Sequence, residues 1–86
     1  MSRASSKVWL SDNDIAERRG QSRPHIWRLV KQGDLPKPVK LSAGCTRWPA
    51  HEIEAIDRAR LAGANDADIR KLIADMDAAR RQAVAA

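Results

Sequence analysis

The chain of 86 residues has no phenylalanine, no tyrosine and a single cysteine, and three tryptophans are its only large aromatic side chains. The lone Cys45 cannot form an internal disulfide, which fits a reducing compartment such as the cytoplasm. With so few large residues available, Trp9 and Trp48 are expected in the core. Trp27 lies at the edge of an apolar stripe, where core packing is again the favoured interpretation. The length supports one domain with a modest core.

No stretch is long and apolar enough to span a bilayer, and the N-terminus lacks the apolar segment of a secretory signal. Residues 1–7 are rich in serine and basic residues and are expected to form a disordered arm. A membrane surface is a poor candidate partner, because the basic half contains no amphipathic helix with a broad apolar face. The expected location is the cytoplasm.

Sequence patterns of catalysis are also absent. No glycine-rich phosphate loop is present, and no set of Ser, His and Asp or of Cys and His has the pattern of a catalytic site. Cys45, His51 and His25 lack the paired spacing of a zinc site. Glu52 and Glu54 suit the dipole at the start of a helix. The chain is therefore predicted not to be an enzyme and to need no metal, cofactor or small-molecule ligand.

Positive charge is present, and it is unevenly distributed. The formal net charge is +5, from 16 Lys and Arg against 11 Asp and Glu. Residues 1–50 carry 10 basic and 4 acidic side chains, whereas residues 51–86 carry 6 and 7. A basic field confined to one part of a small domain attracts polyanions, of which nucleic acid is the commonest. The charge pattern thus favours a nucleoid-associated protein.

Start and stop signals predict two short helices in succession. Ser11 begins a sequence like a capping box, which predicts a first helix over about residues 12–19, and Gly20 ends it. Ser22 is the next cap, and Gly33 ends the second helix. Two short helices joined by so tight a turn form the corner of a helix-turn-helix.

Four residues fit the steric needs of this motif. The motif needs a small residue where the helices cross and a glycine in the turn. It also needs two apolar residues on the second helix that point back toward the first. The residues at these positions are Ala16, Gly20, Ile26 and Leu29. Arg19, just before the turn, departs from the motif, since an apolar residue is more usual there.

The second helix is expected to turn a polar face away from the core, as a recognition helix in the major groove does. Arg23 or Arg28 could bind guanine, Gln21 could bind adenine, and Ser22 and Lys31 suit phosphates. The full set of candidate DNA contacts on this helix is Gln21, Ser22, Arg23, Pro24, His25, Arg28 and Lys31.

A small β-hairpin is predicted after the second helix. The two prolines of residues 35–38 enforce an extended lead-in, and residues 39–41 and 46–48 alternate apolar and polar side chains around a turn. The side chains expected to face the core are Val39, Leu41 and Trp48. On the outer face and tip, the candidate DNA contacts of this wing are Lys40, Ser42, Thr46 and Arg47.

Two further helices complete the prediction. Pro49 opens a third helix that ends near Gly63, and Asn65 caps a fourth helix of about 18 residues. The fourth helix has an apolar stripe that either folds back on the domain or pairs with a second copy. The candidate self-association residues in this stripe are Ile69, Leu72, Ile73 and Met76. The predicted organisation is an arm (1–7), a winged helix-turn-helix (8–63) and a C-terminal helix (64–86).

Residues 10–56 resemble the AlpA-type regulators and excisionases, a branch of the winged-helix proteins related to the MerR DNA-binding domain. The similarity is carried by Ser22-Arg23 before the second helix, by the prolines of Pro36-Lys37-Pro38-Val39, and by Trp48 at the close of the hairpin. Trp27 stands where that family usually has tyrosine, and Leu35 where phenylalanine is common. Pro24 and His25 replace small hydroxyl residues, so the base preference is expected to differ.

The resemblance implies a mostly α winged helix-turn-helix that binds double-stranded DNA in or beside a mobile element. Its leading implication is an excisionase, a recombination directionality factor whose copies bend attachment-site DNA and so promote excision by an integrase. A transcriptional regulator at a promoter is the alternative within the same class. A protein-interaction adaptor that binds no DNA, and a DNA-recognition domain of the small-terminase type, also remain open.

Overall fold

The computed structural model describes residues 7–85, with side chains for residues 7–83. It contains four helices and one three-stranded antiparallel sheet. In chain order the elements are β1 (Trp9–Leu10), α1 (Asp12–Arg19), α2 (Arg23–Gln32), β2 (Val39–Ser42), β3 (Cys45–Pro49), α3 (Ala50–Leu61) and α4 (Asp66–Ala85). The mostly helical prediction is confirmed. Apart from Lys7, the predicted arm lies outside the described residues.

The limits of α1 follow from its capping residues. The Ser11 hydroxyl accepts from the backbone N–H of Asp14 at 3.0 Å, and the Asp14 carboxylate accepts from the backbone N–H of Ser11 at 2.9 Å. This reciprocal pair is the predicted capping box. At the other end Gly20 has a φ of +66°, a left-handed conformation that glycine adopts without a steric penalty. Helix α1 therefore begins and ends where the sequence predicts.

Three residues, 20–22, separate the end of α1 from the start of α2. The Ser22 hydroxyl accepts from the backbone N–H of His25 at 3.3 Å, and Pro24 lies in the first turn, where its missing N–H is not needed. Ile15 of α1 and Ile26 of α2 are both fully buried, and Ala16 is 4% exposed. The two helices thus pack on one core across a tight turn.

Strand β3 is the centre of the sheet. It pairs with β1 through Leu10 opposite Trp48, and with β2 through Val39 opposite Arg47 and Lys40 opposite Thr46. The hairpin of β2 and β3 was predicted, whereas β1 was not. The buried Trp48 indole donates to the Pro36 carbonyl at 2.7 Å, which holds the extended segment before β2 against the sheet.

Three expectations about side-chain placement are wrong. Leu41 is 44% exposed and lies at a register shift between Lys40 and Ser42, two residues after Val39 and on the same face of β2. Val39 lies opposite Arg47 and is half-buried, so it shares the face of Arg47 and not that of Trp48.

The third error concerns Trp9, which is 40% exposed and not a core residue. Consecutive residues of a strand point to opposite faces. Leu10 is the buried member of β1, which leaves Trp9 on the outer face beside Pro49.

Seven large side chains are almost completely buried and form the core. Each contributes about 1.5–3 kcal/mol relative to an exposed position. They come from α1, α2, β3, α3, α4 and the segment that joins α2 to β2. These seven residues are Ile15, Ile26, Leu35, Trp48, Ile53, Ile56 and Ile69. Because α4 contributes a fully buried residue, it is an integral part of the domain.

The apolar stripe of α4 folds back on its own chain. Ile69 is fully buried, and Leu72, Ile73 and Met76 are half-buried against the core. These four residues were candidates for self-association, but in this fold Ile69 leaves no surface for a second copy. Within residues 7–85, no helix combines the length and the apolar character that crossing a bilayer requires.

A buried ion pair fixes the second half of α4. Glu52, in the first turn of α3, is 3% exposed, and both of its carboxylate oxygens accept from Arg80 at 3.0 and 2.5 Å. Such a two-point contact defines orientation as well as distance. Arg80 is the charged residue that interrupts the apolar stripe of α4, and its side chain binds Glu52.

Candidate nucleic-acid interface

Helix α2 separates a buried side from an exposed side. Ile26 is buried and Leu29 and Val30 are half-buried, whereas Arg28 and Lys31 are exposed. Arg28 and Lys31 are three residues apart, so their side chains lie next to each other on the helix surface. The predicted contacts Gln21, Ser22, Arg23 and Pro24 are also exposed, and His25 is half-buried.

A side-chain contact orients Arg28. Its Nη1 lies 3.2 Å from Nδ1 of His25, one turn earlier. A guanidinium can only donate, so the contact is a hydrogen bond in the tautomer in which Nδ1 of His25 accepts. The contact draws the guanidinium toward the N-terminal end of α2, the end that a recognition helix presents to base edges.

Arg23 has an anionic partner inside the protein. Oδ2 of Asp12 accepts from the indole Nε1 of Trp27 at 3.0 Å and lies 3.4 Å from Nε of Arg23. The hydrogen bond from Trp27, followed by the charge of Arg23, holds the pKa of Asp12 below its ordinary value of 3.8. Asp12 therefore stays ionised, and it offsets the charge of Arg23 but not that of Arg28.

The predicted contacts of the hairpin differ in exposure. Lys40 and Ser42 are exposed, while Thr46 and Arg47 are half-buried. Nη1 of Arg47 donates to the carbonyl of Thr46 at 2.8 Å, so its guanidinium lies folded along β3. Lys40 lies opposite Thr46, so it is on the other face of the hairpin from Arg47, and the expectation of one shared outer face for these two cations is wrong. Lys40 is the more accessible of the two.

A tryptophan pair joins the hairpin to α2. The ring centroids of Trp27 and Trp48 are 5.1 Å apart and the planes are tilted by 56°. Trp48 is buried in β3, while Trp27 is 41% exposed on α2. The interpretation of Trp27 as a core residue is therefore half correct, because one part of its ring packs and the other meets solvent. The pair places the base of the hairpin directly beside the exposed side of α2.

Most of the described cations without an ion pair lie in one part of the chain. Nine of the Lys and Arg side chains within residues 7–83 form an ion pair. Asp57, for example, holds both Arg18 and Arg19, at 3.2 and 3.1 Å, which explains how Arg19 is tolerated before the turn. The six described cations without an ion pair are Arg28, Lys31, Lys37, Lys40, Arg47 and Arg58.

Five of those six cations belong to one segment, residues 28–47, which comprises the second half of α2, the following loop and the hairpin. Unpaired positive charge that no protein group neutralises is available to an external anion. We call the exposed side of α2 together with the exposed residues 40–44 of the hairpin the basic surface; Lys37 is left out because it lines a cavity with Arg70 and Asp77 of α4.

Sequence reasoning missed one unpaired cation, Lys37, and one internal anion, Asp12. Lys37 is exposed between two prolines, and its place in a segment that cannot be helical was a usable signal. Asp12 gave no such signal, since its role depends on the packing of α1 against α2. Across residues 7–85, no cluster of three His, Cys, Asp or Glu side chains could hold a metal ion.

No protein-family model matches the chain, and neither a curated protein nor a solved structure matches it significantly. What the protein does must therefore be inferred from the basic surface and from the local motif that builds it.

Proposed function

We propose that this protein binds double-stranded DNA as a winged helix-turn-helix, with α1 and α2 as the two-helix motif and the β2–β3 hairpin as the wing. The observation that carries the proposal is the concentration of unpaired cations in residues 28–47. Cations that serve only solubility would be scattered over the surface, whereas a surface that binds phosphates gathers them.

In the proposed complex α2 lies in the major groove. Arg28 binds the O6 and N7 of a guanine, and Gln21 is placed to bind adenine at the N-terminal end of the helix. Lys31 and the hydroxyl of Ser22 contact phosphates, as does Lys40 from the wing. Ser22 can do so while capping α2, because its oxygen accepts from His25 and its hydroxyl hydrogen remains available.

The biological role that we propose is an accessory factor in site-specific recombination. In this role several copies assemble on the attachment-site DNA of a mobile element and bend it, so that an integrase excises the element. The resemblance of residues 10–56 to excisionases supports this role. Burial of Ile69 within its own domain is consistent with a protein that is monomeric in solution and meets its neighbours on DNA.

Regulation of a promoter is the second candidate, since the same resemblance and the same surface support it. The two roles differ in the pattern of binding. An excision factor is expected to give laddered, salt-sensitive complexes on the end of an element, whereas a regulator is expected to protect one site at a promoter.

The proposal is tested by selecting bound duplexes from a random pool and measuring affinity by gel shift. Arg28→Ala is expected to weaken binding to the selected duplex by about 1–3 kcal/mol and to relax its specificity. Arg58→Ala removes an equally unpaired, exposed cation from α3 and is the matched control, with little expected effect.

Three results would argue against the proposal in different ways. Equal losses of DNA affinity for the Arg28 and Arg58 variants would show that α2 has no special role in binding. Equal weakening by Arg28→Ala on selected and random DNA would make Arg28 a phosphate contact. Absence of any shift at about 50 mM salt, where phosphate contacts are strongest, would favour a protein-interaction adaptor.

A further inference from the structure

The wing presents an apolar side chain where solvent-exposed polar residues surround it. Leu41 lies at the register shift between Lys40 and Ser42, and its exposed fraction is 44%. Both neighbours are exposed, and Lys40 is one of the unpaired cations. At this exposure Leu41 gives up part of the stabilisation that full burial of a leucine provides. Bulges of this kind re-aim side chains and are frequent beside functional sites.

Leu41 differs from the other exposed large apolar residues of the described chain. Val8 and Trp9 lie at or beside β1, and Leu61 is the last residue of α3, so all three are outside the basic surface. Trp27 lies within the basic surface, but it is held by Asp12 and by Trp48. Leu41 is thus the apolar group of the basic surface that has no comparable partner.

The dimensions of the hairpin determine what Leu41 can reach. Strands advance about 3.3 Å per residue, so Leu41, near the level of residues 45 and 46 on β3, lies about 8 Å beyond Trp48. Trp48 is the point where the hairpin meets α2. A major groove about 12 Å wide has its phosphate ridge about 6 Å from the centre. With α2 in the major groove and the hairpin directed across the phosphate ridge, this length is sufficient for Leu41 to reach the adjacent minor groove.

We infer that Leu41 is an apolar wedge that enters the minor groove and opens a base step, bending the duplex. This inference rests on the proposed DNA binding. Apolar side chains inserted between base steps kink DNA by about 20–90° toward the major groove. Leu41 would then be the residue that couples binding to DNA deformation.

The experiment uses the full chain and a duplex selected from the random pool, labelled at its two ends with a donor and an acceptor dye. Binding is followed by anisotropy and bending by energy transfer. The wild-type protein is expected to bind and to raise energy transfer. Leu41→Ala is expected to bind within about tenfold of wild type, because phosphate contacts supply most of the affinity, while losing most of the rise in energy transfer.

Two further variants separate a wedge from a general loss of structure. Leu41→Phe retains a large apolar side chain and is expected to bend the duplex as wild type does. Leu61→Ala removes an 89% exposed leucine from the end of α3 and is expected to change neither binding nor bending. A Leu41→Ala protein that bends the duplex like wild type would overturn the inference.

The outcomes also distinguish this inference from the proposed function. If wild type binds the duplex without raising energy transfer, the wedge is wrong and DNA binding stands. If wild type binds no duplex at low salt, the proposed function fails and the wedge fails with it.

Discussion

The indole of Trp27 on α2 lies against that of Trp48 in β3, with ring centroids 5.1 Å apart. The same Trp27 donates its Nε1 proton to Asp12 on α1. One side chain therefore touches both helices of the first pair and the base of the hairpin. This arrangement fixes the hairpin relative to α2, and a DNA-binding surface made of both elements requires such a fixed relation.

The first prediction concerns the tryptophan pair. Trp27→Ala removes the ring contact and the bond to Asp12, and should lower the free energy of unfolding by about 1–2 kcal/mol in urea titrations. DNA affinity should fall as well, since the hairpin loses its contact with α2. Trp27→Phe keeps a ring against Trp48 and should recover most of both losses. Unchanged unfolding and unchanged DNA affinity for Trp27→Ala would contradict this role.

The second prediction concerns Asp12 as an internal partner of Arg23. Asp12→Asn keeps an oxygen for the Trp27 indole but removes the negative charge that opposes a phosphate near Arg23. Affinity for random-sequence DNA should rise, and the plot of log affinity against log salt should steepen by about 0.9, equivalent to one added phosphate contact.

The control for this charge change is Asp75→Asn. Asp75 forms an exposed pair with Lys71 on α4, so the variant changes the net charge by the same amount away from the basic surface. If both variants raise the affinity equally, the effect reflects net charge and Asp12 has no local role.

The third prediction is a loss of stability in acid. The pKa of Asp14 is lowered by hydrogen bonding to the Ser11 backbone, with a further contribution from Lys7, and that of Asp12 by Trp27 and Arg23. A carboxyl whose pKa is lower when folded stabilises the fold above its unfolded value of 3.8. That contribution is lost as the pH falls through the folded value. Urea unfolding between pH 5 and pH 2 should show the loss.

The double variant Asp12→Asn with Asp14→Asn is the comparison for this measurement. It should start from a lower stability at neutral pH and depend less on pH across the same interval. An equally steep decline in both proteins would assign the acid sensitivity to other carboxylates.

The fourth prediction concerns the attachment of α4. Glu52→Gln leaves the half-buried Arg80 facing a neutral group and should destabilise the fold by about 1–3 kcal/mol. Asp77→Asn disrupts an exposed pair with Arg81 on the same helix and should cost less than about 0.5 kcal/mol. Thermal unfolding of the two variants measures the difference. Similar losses of stability would show that the pair of Glu52 and Arg80 stabilises the fold no more than an exposed pair does.

Features of the structure that depend on residues close in sequence were predictable, whereas features that depend on residues far apart in sequence were not. The limits of α1 and α2 depend on residues that are close in sequence, such as Ser11 with Asp14 and Ser22 with His25. Strand β1 exists only because β3, almost forty residues away, offers it an edge, and no local pattern indicates this. Val39 and Leu41 were misplaced together, because the face of β2 that meets the core depends on its register with β3.

The basic surface was partly predictable for the same reason. An exposed side of α2 follows from the helical spacing of Ile26, Leu29 and Val30. Which cations are neutralised depends on tertiary contacts, such as that between Arg23 and Asp12. The fate of the α4 stripe was likewise open, since an amphipathic helix can pack on its own domain or on a second copy, and only the fold shows Ile69 buried.

The most direct test of the central claim is an NMR titration of the labelled protein with the selected duplex, followed by amide shifts. The account predicts that the largest changes occur at residues 21–31 and 40–44, with little change along the exposed side of α4. Changes concentrated on α3 and α4, with α2 and the hairpin unaffected, would contradict it.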